Sequence, residues 1–242
     1  MRRIATGAMA ALVLTLAACG DDGPTEKGFR AAATRVCHEG NARLLRLPLP
    51  RTEEEIRAFD ERIERSERRL LGDLRAVEAP KRLEARYERA VAAGDRADAY
   101  DQLMKLGLPD CAAFGLTGIP GGGDFNAQLS AQCEDATIQI ERAVDEQVGK
   151  ARARGAADAL RSLHRQIEYD RPPASARVLF ATAVTDVKAA ARTFDEVASG
   201  TFSAADNRRS RLLFGRIAAT WVLLNAGECE EVWSSLNEEA GA

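Results

Sequence analysis

The sequence predicts an all-α fold made of two tandem helical-bundle modules, each clamped by a disulfide. Apolar residues recur at spacings of three and four, which is the period of an amphipathic helix. No stretch alternates apolar and polar residues with the period of two that a half-buried strand requires. All eight prolines lie outside the long periodic stretches, and helix interiors exclude proline at a cost of about 3 kcal/mol.

Four stretches of the chain carry an apolar face with helical spacing. The faces are Phe29, Ala33, Val36, Gly40, Leu44 and Leu47; Ile56, Phe59, Ile63, Leu70, Leu74 and Val77; Phe125, Leu129, Cys133, Ala136, Ile140, Val144 and Val148; and Ala176, Phe180, Ala183, Val187, Ala190, Phe194 and Val197. Thr52 and Glu55 predict a capping box at the start of the second stretch. Gly107 and Gly200 are placed as helix stops. The apolar run 212–224 contains Arg216 and predicts a buried core helix.

Two segments of the chain match each other, which indicates an internal repeat. Phe29 and Cys37 stand eight residues apart, and Phe125 and Cys133 repeat that spacing. Further along, Tyr87 of the first segment corresponds to a phenylalanine, residue 180, in the second. Chance similarity between two alanine-rich helices is the alternative interpretation, and the coordinated cysteines argue against it.

The repeat also sets the proposed domain boundaries. Each segment closes with an acidic residue before a cysteine, at Asp110-Cys111 and at Glu228-Cys229. Between the segments, residues 118–123 are rich in glycine, which is typical of a hinge or spacer. The sequence therefore predicts helical module 1 at 27–117, a linker at 118–123 and helical module 2 at 124–242.

The beginning of the chain has the features of a secretory signal peptide. It starts with MRR, continues without a charged residue to Leu16, and then has two alanines. A positive start, a short apolar run and small residues before a cleavage point describe such a signal. The apolar run is shorter than the roughly 20 residues that a membrane-spanning helix needs. Residues 1–18 are therefore assigned to a signal peptide.

The four residues at the end of this run, Leu16-Ala17-Ala18-Cys19, resemble the lipobox of bacterial lipoproteins. The resemblance covers only this end of the chain. It implies cleavage before Cys19 and attachment of a diacylglycerol to the Cys19 sulfur, with residues 19–26 as a lipidated flexible tether. The alternative is an ordinary signal peptide followed by an unrelated cysteine. The lipoprotein interpretation places the protein on the extracytoplasmic face of the cell membrane, with the membrane itself as a partner.

The arrangement of cysteines and prolines in the mature part carries a second, looser resemblance. A cysteine in the first helix, a helix that starts at Pro80 and the ending LGLPDC at 106–111 resemble helical lipoproteins and secreted proteins of high-GC Gram-positive bacteria. That resemblance implies a four-helix bundle in each module and no known activity. In the first module, the region from Pro80 to Leu106 is either two short helices broken at Gly94-Asp95 or one continuous helix.

The five cysteines leave an odd thiol, which lipidation of Cys19 explains. The remaining four allow three pairings. The repeat predicts Cys37 with Cys111 and Cys133 with Cys229, each disulfide tying a module's first helix to its end. If Pro80 to Leu106 is one helix, the ends of module 1 lie at opposite poles, and Cys111 would instead lie nearer Cys133.

The search for catalytic and metal-binding patterns predicts neither an enzyme nor a cofactor. His38 is interpreted as a surface residue, and His164 with Glu168 one turn later as a surface contact without a second ligand pair. The sequence contains no Gly-x-Ser-x-Gly elbow and no Cys-x-x-Cys. Trp221 and Trp233 are assigned to the core.

Composition limits the partners. The formal net charge is −3 and aromatic residues are 5% of the chain, whereas nucleic-acid binders present basic faces or stacking platforms. We therefore expect no nucleic-acid partner. The expected function is non-catalytic binding or scaffolding at the cell envelope, with an envelope protein as a possible partner. The alternative is a small-ligand carrier or, less favoured, an enzyme with a site in or between the bundles.

Overall fold

A computed structural model describes residues 23–93, 96–229 and 233, and within them it contains helices and no strand. The α-helices are α1 (Glu26–Leu44), α2 (Glu53–Arg57), α3 (Phe59–Leu74), α4 (Lys81–Ala92), α5 (Arg96–Lys105), α6 (Pro109–Ala112), α7 (Gly122–Glu146), α8 (Lys150–Ile167), α9 (Arg177–Ser199) and α10 (Ala204–Leu224). Short 3₁₀ helices cover Gly115–Gly118 and Ala174–Ala176. The all-α prediction is confirmed. The predicted signal peptide and Cys19 lie outside the described residues.

The first half of the chain packs α1 against α3 and pairs α4 with α5, and α6 returns to α1. The region from Pro80 to Leu106 therefore contains two helices, which is the first of the two alternatives left by the sequence. The predicted break at Gly94-Asp95 lies outside the described residues. Gly107 ends this region in the left-handed conformation, at φ +74°, as expected of a helix stop.

The second half is a bundle in which α7, α8, α9 and α10 each pack on the next helix along the chain. The run 212–224 lies in α10, and Trp221 is buried as predicted, as is Trp233 beyond the helix. Two residues of the predicted apolar faces are exposed, Val148 at 80% and Val197 at 39%. Val148 is the clearer error. The reason is that α7 ends at Glu146, two residues earlier, so Val148 lies in the turn before α8.

The predicted capping box at Thr52 is half correct. The Thr52 side chain accepts a hydrogen bond from the Glu55 backbone N–H at 3.1 Å, as an N-cap does. The Glu55 carboxylate, however, accepts from the N–H of Arg51 at 2.6 Å rather than from Thr52. The helix is also short, because α2 and α3 are separate helices that meet at Ala58.

Buried apolar residues form two clusters. The smaller one belongs to the first half and contains Phe29, Ala33, Cys37, Leu70, Leu74, Tyr87, Ala90, Val91, Leu103, Leu106, Leu108 and Cys111. The larger one fills the α7–α10 bundle, and it also includes Leu45, Phe59, Ile63, Leu116 and Ile119 from the first half. In addition, α2 packs on α10. The two halves are therefore joined by shared apolar packing.

Residues 118–123, which the sequence analysis assigned to a linker, are partly packed into this junction. Gly118 and Gly122 are buried, and Gly122 is the first residue of α7. A Cβ atom at Gly122 would lie 1.7 Å from the Leu116 carbonyl oxygen, so this position requires glycine for close approach. The glycines here permit tight packing of the backbone, and the boundary between the modules stays a prediction.

Candidate functional site

The four cysteines of the described chain form the two disulfides that the repeat predicted. Cys37 is bonded to Cys111, with Cα atoms 5.0 Å apart, and Cys133 is bonded to Cys229, with Cα atoms 4.9 Å apart. All four side chains are fully buried. The predicted pairing is confirmed, and Cys19 is left outside both bonds.

The surroundings of the two disulfides match in detail. Four residues after the first cysteine of each pair stands a buried polar side chain, Asn41 or Thr137. Asn41 Nδ2 donates to the carbonyl oxygens of Cys37 at 3.1 Å and of Asp110 at 3.4 Å. Thr137 Oγ1 likewise donates to the carbonyl oxygens of Cys133 at 3.1 Å and of Glu228 at 3.5 Å. In both halves, one side chain joins the first helix to the acidic residue that precedes the second cysteine.

The aromatic residues aligned by the repeat also form equivalent contacts. Phe29 and Tyr87 meet edge to face with centroids 4.9 Å apart, and Phe125 and Phe180 do so at 5.2 Å. Edge-to-face pairs at this distance are favourable beyond the area that they bury. The internal repeat is therefore a repeat of contacts as well as of sequence. Sequence reasoning missed Asn41 and Thr137, although a polar residue at the same offset from each cysteine was a usable signal.

The two histidines make only local contacts in the described chain. His38 Nε2 lies 3.1 Å from Asp110 Oδ2, and His164 Nδ1 lies 3.9 Å from Glu168 Oε2. The predicted contact one turn apart at His164 is thus present, while sequence reasoning did not foresee the pairing of His38. Within the described residues, no group of three or more His, Cys, Asp and Glu side chains is arranged to hold a metal ion.

A cleft of about 1280 Å³ lies between the two halves. Its wall combines α3, the facing ends of α4 and α5, the segment after α6 and the residues around the end of α10. The lining residues are Asp60, Ile63, Glu64, Glu67, Arg68, Leu71, Arg75, Ala92, Ala93, Ala97, Tyr100, Ala112, Ala113, Phe114, Val222, Asn225 and Gly227. The cleft exceeds the 300–1000 Å³ of typical ligand pockets, and it is accordingly suited to a large ligand or a segment of another chain.

Charged side chains in the cleft are held by specific contacts. Glu67 is 5% exposed, and the Tyr100 hydroxyl donates to its Oε1 at 3.2 Å. The Arg75 guanidinium donates from Nε at 3.2 Å and from Nη2 at 3.0 Å to the Val91 carbonyl oxygen, which ties α3 to the end of α4. Arg68 is exposed and forms an ion pair with Glu64 at 3.2 Å. The described lining thus offers carboxylates, guanidinium groups and apolar side chains, a set that suits binding of a polar or charged partner.

A second charged group lies away from the cleft, between α9 and α10. Asp186 is 2% exposed and accepts from Arg216 Nε at 2.8 Å and from Arg216 Nη2 at 2.6 Å. The hydrogen bonds to the Asp186 carboxylate raise the pKa of the Arg216 guanidinium above its ordinary value. The bidentate geometry orients α10 against α9, and we assign the pair to the architecture of the bundle.

No protein-family model, curated protein or solved structure matches the chain. Of the helices in the described part, none is both long and apolar enough to cross a lipid bilayer.

Proposed function

We propose that the protein is a lipid-anchored lipoprotein of the extracytoplasmic membrane face, and that it binds or scaffolds an envelope component without catalysis. The observation that carries this proposal is that Cys19 is the one cysteine left over from the two disulfides. Four of the five form two buried disulfides, and Cys19 stands apart in a lipobox-like sequence. Disulfides persist in oxidising compartments, so their presence supports export of the chain.

The anchor is tested on protein purified from its native host. We expect mass spectrometry to find residues 1–18 removed and a diacylglycerol on Cys19, and to find no free thiol at the other four cysteines. A Cys19→Ala variant should lose the acyl mass and leave the membrane fraction. A native protein that begins at another residue, or that carries an unmodified Cys19, would refute the proposed anchor.

The binding role is assigned to the cleft between the halves. Arg68 lines the cleft, whereas Arg69, its exposed neighbour on α3, is not among the lining residues. A photocrosslinking amino acid at each position therefore forms a matched pair. On intact cells, position 68 should yield a discrete crosslinked product that position 69 does not. Equal crosslinking from both positions, or none from position 68, would contradict a binding role for the cleft.

Carriage of a small ligand is the second candidate, and the mixture of apolar and charged side chains that lines the cleft favours it. In that case, native mass spectrometry of protein from the host should show a non-covalent adduct. An Ala97→Trp variant, which places a large side chain in the cleft, should lose the adduct, and Ala205→Trp on the exposed surface of α10 should keep it. The absence of an adduct in the unaltered protein would eliminate this candidate.

A further inference from the structure

Helix α4 separates its charges between two flanks. Arg82, Arg86 and Arg89 are all exposed, and at 100° per residue they fall within about 60° of one another. The acidic residues Glu84 and Glu88 lie on the opposite flank. Since the buried face of α4 lies between these flanks, the helix presents one continuous basic stripe to solvent.

The basic stripe continues into a shallow groove of about 200 Å³ between α4 and α5. The groove, here called the basic groove, is lined by Arg86, Arg89, Gln102, Lys105 and Leu106. Arg30 of α1 lies at its end, because a Cβ atom built on the adjacent Gly107 would be 2.9 Å from the Arg30 guanidinium carbon. Side chains from three helices therefore bring cations to one place.

Part of this positive charge is neutralised within the protein. Glu26 accepts from Arg30 Nη2 at 2.5 Å and also forms an ion pair with Arg82. Lys105 forms an ion pair with Asp101 one turn earlier on α5. These ion pairs fix the side chains at the rim of the basic groove, and the rim therefore has little net charge.

Arg86 and Arg89, in contrast, keep their charge available. In the part of the chain that the structure describes, neither side chain forms an ion pair, and Arg89 donates only from Nε to the Ala85 carbonyl oxygen at 3.1 Å. The guanidinium nitrogens that remain can donate in pairs to the oxygens of a phosphate group. The net positive charge of the basic groove therefore comes mainly from these two guanidinium groups.

The N-terminal segment approaches the basic flank of α4 through Glu26, which forms an ion pair with Arg82. Gly23 itself lines a shallow depression on the acidic flank at the start of α4, together with Lys81, Glu84 and Glu88. Cys19 precedes Gly23 by four residues, so the chain between them spans at most about 14 Å. A lipid on Cys19 would therefore hold the start of α4 close to the bilayer surface.

We propose that the basic groove docks on the anionic phospholipid headgroups of the membrane that carries the anchor. The inference rests on the proposed lipidation of Cys19. The acyl chains hold the protein on the bilayer, and contacts between the two arginines and lipid phosphates fix its orientation. In that orientation α4 faces the membrane. Each basic residue near an anionic surface strengthens such a contact about fivefold.

The test couples the chain from residue 19 onward to vesicles through Cys19. Because the other four cysteines are in disulfides, a maleimide-bearing lipid reacts at Cys19 alone. The vesicles consist of phosphatidylcholine, or of phosphatidylcholine and phosphatidylglycerol in equal parts. A third arm adds inorganic phosphate to the phosphatidylcholine vesicles. Phenylglyoxal then modifies exposed arginines, and mass spectrometry gives the rate of modification at each one.

On the phosphatidylglycerol vesicles, Arg86 and Arg89 should react about fivefold more slowly than on phosphatidylcholine. Arg192 and Arg208, which are exposed on α9 and α10, are the matched controls and should react equally on both. Equal rates at Arg86 and Arg89 on the two membranes would overturn the proposal. Protection by inorganic phosphate to the same extent would also overturn it, since the site would then recognise a free anion.

A variant supplies a second measurement. In Arg86→Gln/Arg89→Gln, protection of the Lys105 amine from an acylating reagent on phosphatidylglycerol vesicles should disappear, whereas Arg192→Gln/Arg208→Gln should retain it. Protection that persists in the first variant would exclude the two arginines as the contact. Coupling through maleimide does not depend on acylation in the host, so failure of headgroup docking and failure of the proposed anchor are observed separately.

Discussion

Removing either disulfide should cost a large share of the stability of the fold. The variants are Cys37→Ala/Cys111→Ala and Cys133→Ala/Cys229→Ala. Each substitution pair opens a loop in the unfolded chain, and the entropy regained by that chain favours unfolding. Because all four sulfurs are buried, the substitutions leave the surface of the protein unchanged.

The magnitude follows from the lengths of the closed loops. The chain-entropy relation yields about 4.4 kcal/mol for the 74-residue separation and about 4.7 kcal/mol for the 96-residue separation. Single domains are stable by only about 5 to 15 kcal/mol in total. The two variants should therefore be destabilised by nearly equal amounts, and reduction of both disulfides should unfold most of the protein.

Guanidinium unfolding followed by circular dichroism measures these losses. We expect each double variant to unfold at much lower denaturant than the unaltered protein, with the two midpoints close together. Dithiothreitol should lower the midpoint of the unaltered protein further than either variant does. A loss below about 1 kcal/mol in either variant, or a reduced protein that unfolds like the oxidised one, would refute the chain-entropy reasoning.

Two further predictions concern buried polar groups. Arg216→Met leaves the Asp186 carboxylate buried without its partner and should lower the free energy of unfolding by about 2 to 3 kcal/mol. This loss is smaller than for a fully enclosed ion pair, because 38% of the Arg216 side chain is exposed to solvent. Adding Asp186→Leu should restore most of that loss in the same denaturant assay, and a double variant as unstable as the single one would contradict the charge argument. Burial raises the pKa of the Tyr87 hydroxyl, which donates to the Leu74 carbonyl oxygen at 2.7 Å. Because the unfolded chain ionises first, the contribution of this group to stability is complete below about pH 10 and falls as the pH rises above it. Urea unfolding from about pH 8 to about pH 11 should show a smaller loss in Tyr87→Phe, and parallel pH curves for the two proteins would exclude this role.

Helix positions and cysteine pairing were largely predictable because their signals are local or repeated. Apolar spacing and proline placement mark helices along the chain, and equal Phe–Cys spacings indicate equivalent structures in each half. The wrong predictions concern a helix end and a capping partner, which a shift of one or two residues changes. Val148 continues the apolar spacing of α7, yet the helix ends before it, and the Glu55 carboxylate had two neighbouring N–H groups within reach.

The candidate sites were not predictable in the same way. The cleft depends on how α3 lies relative to the end of α10, and the basic groove depends on α4 packing beside α5 and on Arg30 of α1 reaching Gly107. Neither arrangement leaves a periodic trace in the sequence. The glycines at 118–123 show the difficulty, because the same composition that suggests a flexible spacer also permits the close approach of Gly122 to Leu116.

By itself, the sequence determined that this chain is helical and that it repeats one spacing of aromatic residues and cysteines, and it predicted the pairing that leaves Cys19 outside both disulfides. These properties depend on the order of residues along the backbone. Only the tertiary structure decided that the halves share apolar packing, that a cleft opens between them and that Arg86 and Arg89, which form no ion pair within the described residues, lie together beside α5. Those properties depend on contacts between helices distant in sequence, whose geometry is set by the packing of side chains.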